Sequence, residues 1–188
     1  MEMSLEKMHP AVKDQFCEHI YKDYIVSSSE LLAKYEEYAK TIHALIPVSC
    51  YTNFRDSLFH FRKMVSCIEE KEIERQAFAV KEHLSRSLTD ASSSLMFHLS
   101  SVAEELLKAG EITEDLKIDI RECLHSVKIA NLRKRVNGMM ISSDDIVSIS
   151  HDEMYNLLET FYKLLDNNCS EEYAKYSNAI TDNIYDSK

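Results

Sequence analysis

The chain has 188 residues, enough for one substantial core, but only 2 glycines and 2 prolines, so it lacks the tight-turn residues that a sheet protein needs. Its 45% hydrophobic and 29% charged residues suit a folded globule and exclude a disordered chain. A formal net charge of −10 opposes non-specific binding to nucleic acid or anionic membranes and leaves only local basic patches for such contacts.

These facts predict an all-α fold, a single helical bundle of about six to seven helices. It reads as one domain over 1–188, with a frayed tail at 181–188. No run approaches the ~18 consecutive apolar residues of a membrane span, and Met1 to Asp14 lacks the apolar core of a signal peptide. A cytoplasmic location without membrane contact is expected. Cys17, Cys50, Cys67, Cys123 and Cys169 form an odd set with no Cys-x-x-Cys pair, which argues for reduced thiols over a disulfide framework or a zinc knuckle.

Pro10 suits a first helical turn, where its missing N–H is not needed, and Val12, Phe16, Ile20 and Tyr24 carry that helix to about Val26. Ser27 and Glu30 have the spacing of a capping box and open a second helix, with the stripe Leu31, Tyr35, Tyr38, Ile42 and Leu45 ending at Pro47. From Tyr51 to Ala109 there is no glycine or proline. Phe54, Leu58, Phe61, Val65 and Ile68, then Ile73, Ala77, Val80, Leu84 and Leu88, keep a helical period.

The polar run Thr89 to Ser94 is the expected break, followed by a helix carrying Leu95, Leu99, Val102, Leu106 and Leu107 and closed by Gly110. Thr113 caps the next helix, with Leu116, Ile120, Cys123, Leu124, Val127 and Ile129 inside and Gly138 as its stop. Ser150 and Glu153 form a second capping box before Met154, Leu157, Leu158, Phe161 and Leu164. Ser170 to Ile180 adds a short last helix.

One constellation points to chemistry: Arg55, Asp56 directly after it, and His60 after four intervening residues. Cutting RNA without a metal needs a group to move the 2′-hydroxyl proton and a fixed cation for the charge developing on phosphate. Histidine titrates near neutral pH, and arginine stays charged and grips phosphate oxygens through a planar fork. Five residues along an α-helix turn by ~500°, so on one straight helix Arg55 and His60 point roughly 140° apart. One straight helix does not converge them. Asp56 and His60 share a face at i and i+4, where Asp56 can orient the imidazole.

The Arg55-x4-His60 segment resembles the Arg-x4–6-His motif of HEPN-domain proteins, a superfamily of small α-helical bundles in which Asn, Asp or His usually follows the arginine. The resemblance implies a metal-independent endoribonuclease, a toxin or defence component, acting as a homodimer whose motifs meet across the two-fold. It assigns His60 as acid or base, Arg55 as phosphate clamp and Asp56 as orienter. In one departure, Arg62 stands where HEPN toxins often carry a tyrosine, so regulation by modification of such a tyrosine is not implied.

Arg62 and Lys63 add positive charge beside the motif, and Arg133, Lys134 and Arg135 form a second basic cluster open to RNA. Basic residues at a helix C-terminus are also favourable through its dipole alone. Glu6 with His9 and Glu122 with His125 match the Glu-x-x-His of di-iron bundles but read better as solvated faces, so no metal and no cofactor are expected. Without a glycine-rich loop, nucleotide hydrolysis of the P-loop type is excluded. The alternative reading is a non-enzymatic module that binds a protein partner through the tyrosine-rich first third, Tyr21, Tyr24, Tyr35, Tyr38 and Tyr51, or through a long-helix face. Arg55 is then a surface arginine, and His60 packs half-buried between Phe59 and Phe61.

Overall fold

With so few helix breakers, the chain winds into long helices. The computed structural model describes residues 7–110, 112–137 and 150–186, with side chains to 130 and 182 in the last two spans. In order they form α1 Pro10–His19, α2 Ser27–Thr41, α3 Val48–Ser66, α4 Glu70–Ala109, α5 Glu114–Asn137 and α6 His151–Asp186. A π-helical run, Ile20–Val26, joins α1 to α2 without interruption, so the described residues make five helical segments, the last of them kinked, in place of six or seven. Among them no strand occurs, only an isolated bridge between Lys7 and Glu69. The fold is all-α, and no described helix is long and apolar enough to cross a membrane.

Several helix ends follow from local chemistry. Pro10 is the first residue of α1, and the His9 Nδ1 accepts a hydrogen bond from the Ala11 N–H at 3.3 Å. Thr113 Oγ1 accepts from the Leu116 N–H at 3.3 Å. At the start of α6, the Ser150 N–H donates to Glu153 Oε2 (2.7 Å) while the Glu153 N–H donates to Ser150 Oγ (3.1 Å), a closed capping box. Gly110, at φ +75°, ends α4 where a side chain would be strained. Gly138 lies outside the described residues.

Ser27 does not cap the start of α2. Its backbone is helical, at φ −59° and ψ −40°, whereas an N-cap needs extended geometry; its hydroxyl instead donates to the Lys22 carbonyl five residues back, at 3.4 Å. The bonding from i to i+5 in a π-helix brings residues five apart onto one side, and Ile20 and Ile25 are both buried. Nor does the polar run at 89–94 break α4. Ser94 Oγ donates to the Leu45 carbonyl at 2.8 Å and Asp90 accepts from Asn53 at 3.2 Å. These side chains bond to other segments of the chain instead of competing for the helix's own backbone. Within α6, Cys169 (φ −156°, ψ 49°) is non-helical and kinks the chain, so a further helical stretch opens at Ser170 as expected, and the Cys169 thiol donates to the Leu165 carbonyl at 3.0 Å. That stretch runs to Asp186, beyond the expected end at Ile180.

The chain divides into two compact units. The first takes the described residues of Met1–Lys34 with Pro47–Ala91. Its core is Ile20, Ile25, Met64, Ile73, Ala77, Val80 and Leu84, flanked by Phe16, Phe54 and Phe61. The buried face of α3 matches the expected apolar stripe only in part: Cys50, Ser57 and Met64 are inside and Phe54 and Phe61 pack on the core, while Leu58 and Val65 are 42% and 45% exposed. Polar residues near the inner face, Asn53 and His60, have partners on α4, and satisfying them rotates α3 away from the phase that its leucine and valine alone would choose.

The second unit takes the described residues of Tyr35–Ile46 and Ser92–Lys188. Its core includes Tyr35, Ile42, Leu99, Leu106, Ile120 and Phe161. Here α2 ends in a Schellman turn with His43 in the left-handed region (φ 57°): Ala44 N–H donates to the Ala39 carbonyl (2.8 Å) and His43 N–H to that of Lys40 (3.3 Å). Residues of α6 take up the next two carbonyls. Tyr173 Oη (3.0 Å) and Ser177 Oγ (2.9 Å) both donate to Ile42, and Thr181 Oγ1 (2.6 Å) donates to His43. Nε2 of His98 lies 2.9 Å from the Ser177 hydroxyl, and burial pushes the imidazole down to about 4.

His98 makes stability depend on pH. In the unfolded chain it binds a proton near 6.5, the ordinary value, whereas in the folded chain it does so only near 4. The unfolded state therefore holds more protons between these limits, and stability falls as pH falls through them. At about 1.4 kcal/mol per pH unit the loss is roughly 3 kcal/mol. Urea unfolding of the wild type at pH 7 and pH 4 should show a drop that the His98→Gln variant, which keeps a donor near Nε2 but does not titrate, largely lacks. Equal drops in the two proteins would remove His98 as the cause.

Candidate functional site

In the first unit α3 and α4 lie side by side in opposite directions, joined by the short connection 67–69, so residues that ascend on α3 meet residues that descend on α4. Cys50 pairs with Ser87: the Ser87 hydroxyl donates to the Cys50 carbonyl at 2.9 Å and lies 3.3 Å from its thiol. Three positions on, Asn53 reaches both His83 and Asp90. Seven further, His60 reaches Gln76. Residues at spacings of three, four and seven share one helical face, and α3 thereby presents an amide and an imidazole to an α4 face that carries Glu72, Gln76, His83 and Asp90.

The hydrogen bonds run in two matched relays. Gln76 Nε2 donates to Glu72 Oε1 at 2.7 Å, so the amide oxygen is the atom turned to His60, 2.6 Å from Nδ1. An amide oxygen only accepts, so His60 carries its proton on Nδ1 and leaves Nε2 with a lone pair. In the same way Asn53 Nδ2 donates to Asp90 Oδ2 at 3.2 Å and Asn53 Oδ1 accepts from His83 Nδ1 at 3.2 Å. The two imidazoles stack, with centroids 5.2 Å apart and planes 16° from parallel. Both are half-buried, and neither Nε2 is hydrogen-bonded among the described residues. Gln76 is 3% exposed. Arg75 donates to both oxygens of Glu72, at 2.8 and 2.7 Å, and with the Gln76 amide holds that carboxyl down to about 2, so the relay ends on a fixed anion.

The residues singled out in the sequence fall around this seam unevenly. His60 is in it. Arg55 is on the same unbroken helix but exposed, its guanidinium donating to Asp56 Oδ1 at 3.1 and 2.9 Å. Because α3 is continuous from Val48 to Ser66, no bend brings Arg55 to His60 within the chain. Asp56, expected to orient His60, is turned to Arg55, and Gln76 holds His60 instead. Phe59 meets His60 edge-on at 5.7 Å, while Phe61 packs on the core of the first unit.

Arg62 and Lys63 are exposed, with Lys63 Nζ 4.4 Å above the Phe59 ring. Arg133, Lys134 and Arg135 lie outside the described side chains. Glu122 and His125 are exposed on α5, His9 caps α1, and Glu6 is outside the described residues. His83, Gln76, Asn53 and Glu72 were not singled out. Their signal is combinatorial: His60, Gln76 and His83 become a set only once α3 is paired against α4 in one register. No protein-family model matches the chain, and comparisons with curated proteins and with solved structures find no significant match.

Two measurements check the relay. Long-range ¹⁵N–¹H spectra at pH 8 should show His60 and His83 as Nδ1–H tautomers; Nε2–H forms would reverse the assignment. Replacing Gln76 by Leu strips a buried donor and acceptor pair from His60 and Glu72 and should lower stability to urea by roughly 1–3 kcal/mol. An unchanged midpoint would mean that the amide is not holding the ring.

Proposed function

We propose that this chain is a metal-independent endoribonuclease, acting as a homodimer, with His60 as acid or base and Arg55 as phosphate clamp. The observation that carries the reading is the state of His60. It is an imidazole held at Nδ1 by an amide tied to a carboxylate, at a half-buried position and with an Nε2 that makes no hydrogen bond among the described residues. A general base or acid needs a fixed ring, a defined tautomer and an open nitrogen.

Arg55 fits the role of clamp because, among the described residues, it pairs with its own neighbour on an exposed surface. Such a pair is worth little, so an incoming phosphate competes readily for the guanidinium. Arg62 and Lys63 add local positive potential on an otherwise acidic chain.

A second copy can pack on the exposed face of α3. The exposed face of α3 carries Val48, Tyr51, Arg55, Leu58, Arg62 and Val65, at successive spacings of three, four, three, four and three. That series reads the same in both directions, as a self-complementary contact between antiparallel copies requires. Its centre falls between Arg55 and Leu58, so a two-fold there brings the two copies of Arg55 together, while His60 stays turned to α4. The same exposed apolar residues support the other reading, a module that docks a helix of a different protein.

Purified protein incubated with single-stranded RNA and a chelator should release fragments ending in 2′,3′-cyclic phosphate. His60→Ala should slow cleavage by ~10²-fold or more, and Arg55→Ala by a comparable factor, with both variants folded and dimeric. Light scattering at micromolar concentration should give twice the chain mass. A monomeric protein without ribonuclease activity would favour the docking module, and full activity in both variants would remove these residues from the site.

A further inference from the structure

His83 has no part in the mechanism just described, yet it is held as His60 is held. We infer that His83 is the second acid–base residue of this site, so that the stacked pair handles both proton transfers of RNA cleavage; the inference rests on the ribonuclease reading above.

Three observations carry it. The rings lie 5.2 Å apart and nearly parallel. Each is fixed at Nδ1 by an amide oxygen whose own nitrogen donates to a carboxylate, through Gln76 and Glu72 for His60 and through Asn53 and Asp90 for His83. Both are half-buried, and neither Nε2 is hydrogen-bonded among the described residues. Packing alone does not call for this duplication, since a leucine or phenylalanine would fill the same half-buried place without two amides and two carboxylates behind it.

The chemistry uses two such groups at once. One ring, neutral, takes the 2′-hydroxyl proton at Nε2 while the 2′-oxygen bonds to phosphorus. The bond from phosphorus to the 5′-oxygen breaks, and that oxygen takes the proton from Nε2 of the other ring, which enters protonated. The products are a 2′,3′-cyclic phosphate and a 5′-hydroxyl, and the ring pair leaves with its proton exchanged. Charge and atoms balance without a metal or a further reactant. A spacing of 5.2 Å lets both rings serve one phosphodiester.

The test uses the full chain with His60→Asn and with His83→Asn. An asparagine amide nitrogen falls near the place of Nδ1, so each variant can keep its bond to Gln76 or Asn53 while losing Nε2. Both are assayed on RNA and on a uridine 3′-aryl phosphate, whose phenolate leaves without needing a proton. On RNA each variant should be slower by ~10²-fold or more. On the aryl ester the variant that lacks the acid should recover most of its rate, while the one that lacks the base should not. That opposite response separates two chemical roles from a merely structural one.

If His83→Asn cleaves RNA at close to the wild-type rate while His60→Asn does not, the inference falls and the ribonuclease reading stands. Equal loss by both variants on both substrates also overturns it, by marking His83 as structural. A wild type inactive on RNA overturns the inference together with the reading beneath it. His83→Gln is assayed in parallel, and the rates compared are those of whichever variant keeps the wild-type melting temperature and circular dichroism.

Discussion

Every polar side chain that α4 buries must find a hydrogen-bond partner, because a buried donor or acceptor left alone forfeits about as much as a good apolar contact supplies. In the first unit Gln76 meets His60 and Glu72, and Ser87 meets Cys50. In the second, His98 meets Ser177. Among the described residues no buried side-chain nitrogen or oxygen lacks a partner. Meeting that demand sets the register of α3 on α4. A slip of one residue would part Cys50 from Ser87 and His60 from Gln76 together, while the apolar contacts alone would tolerate several nearby registers.

The same constraint shapes the candidate site. An amide carries a donor at one end and an acceptor at the other, so an amide anchored on a carboxylate can offer an imidazole only its oxygen. Gln76 and Asn53 thereby translate two carboxylate positions into two ring tautomers. A carboxylate in direct contact would orient the ring equally well but would also stabilise its protonated form. The intervening amide keeps the orientation without a carboxylate in contact with the ring. The helices supply rigidity, since His60 and His83 both sit well inside their elements, away from frayed ends.

In the second unit the same logic serves stability. The Schellman turn at His43 leaves helix-end carbonyls facing inward, and the hydroxyls of Tyr173, Ser177 and Thr181, one helical turn apart on α6, take them up. The buried Ile42 carbonyl is thus satisfied by protein donors, and Tyr38 extends the pattern by donating to the Leu158 carbonyl at 2.5 Å. Desolvation of these phenols drives Tyr35, Tyr38 and Tyr173 above the usual tyrosine range, so they act as neutral donors. The tyrosines that looked like interface residues in the first third of the chain divide accordingly. Tyr35 and Tyr38 are core hydrogen-bond donors, whereas Tyr21 and Tyr51 stay exposed.

Composition by itself determined the class of fold, because a chain with 2 glycines and 2 prolines has few ways to turn except between long helices. Local pattern also determined the ends that depend on neighbours in sequence: Pro10, Gly110, Thr113 and the Ser150 and Glu153 box all act within one helical turn. Where a side chain had a choice of partner, only the tertiary structure decided. Ser27 and Glu30 and the run at 89–94 carry the residues of caps, but no cap forms, since bonds to a distant carbonyl or amide satisfied the run and a π-helical turn absorbed Ser27. For the candidate site, periodicity found His60 because its motif is local. It could not find His83, Gln76 or Asn53, whose bonds cross between helices and exist only when α3 and α4 meet in one register.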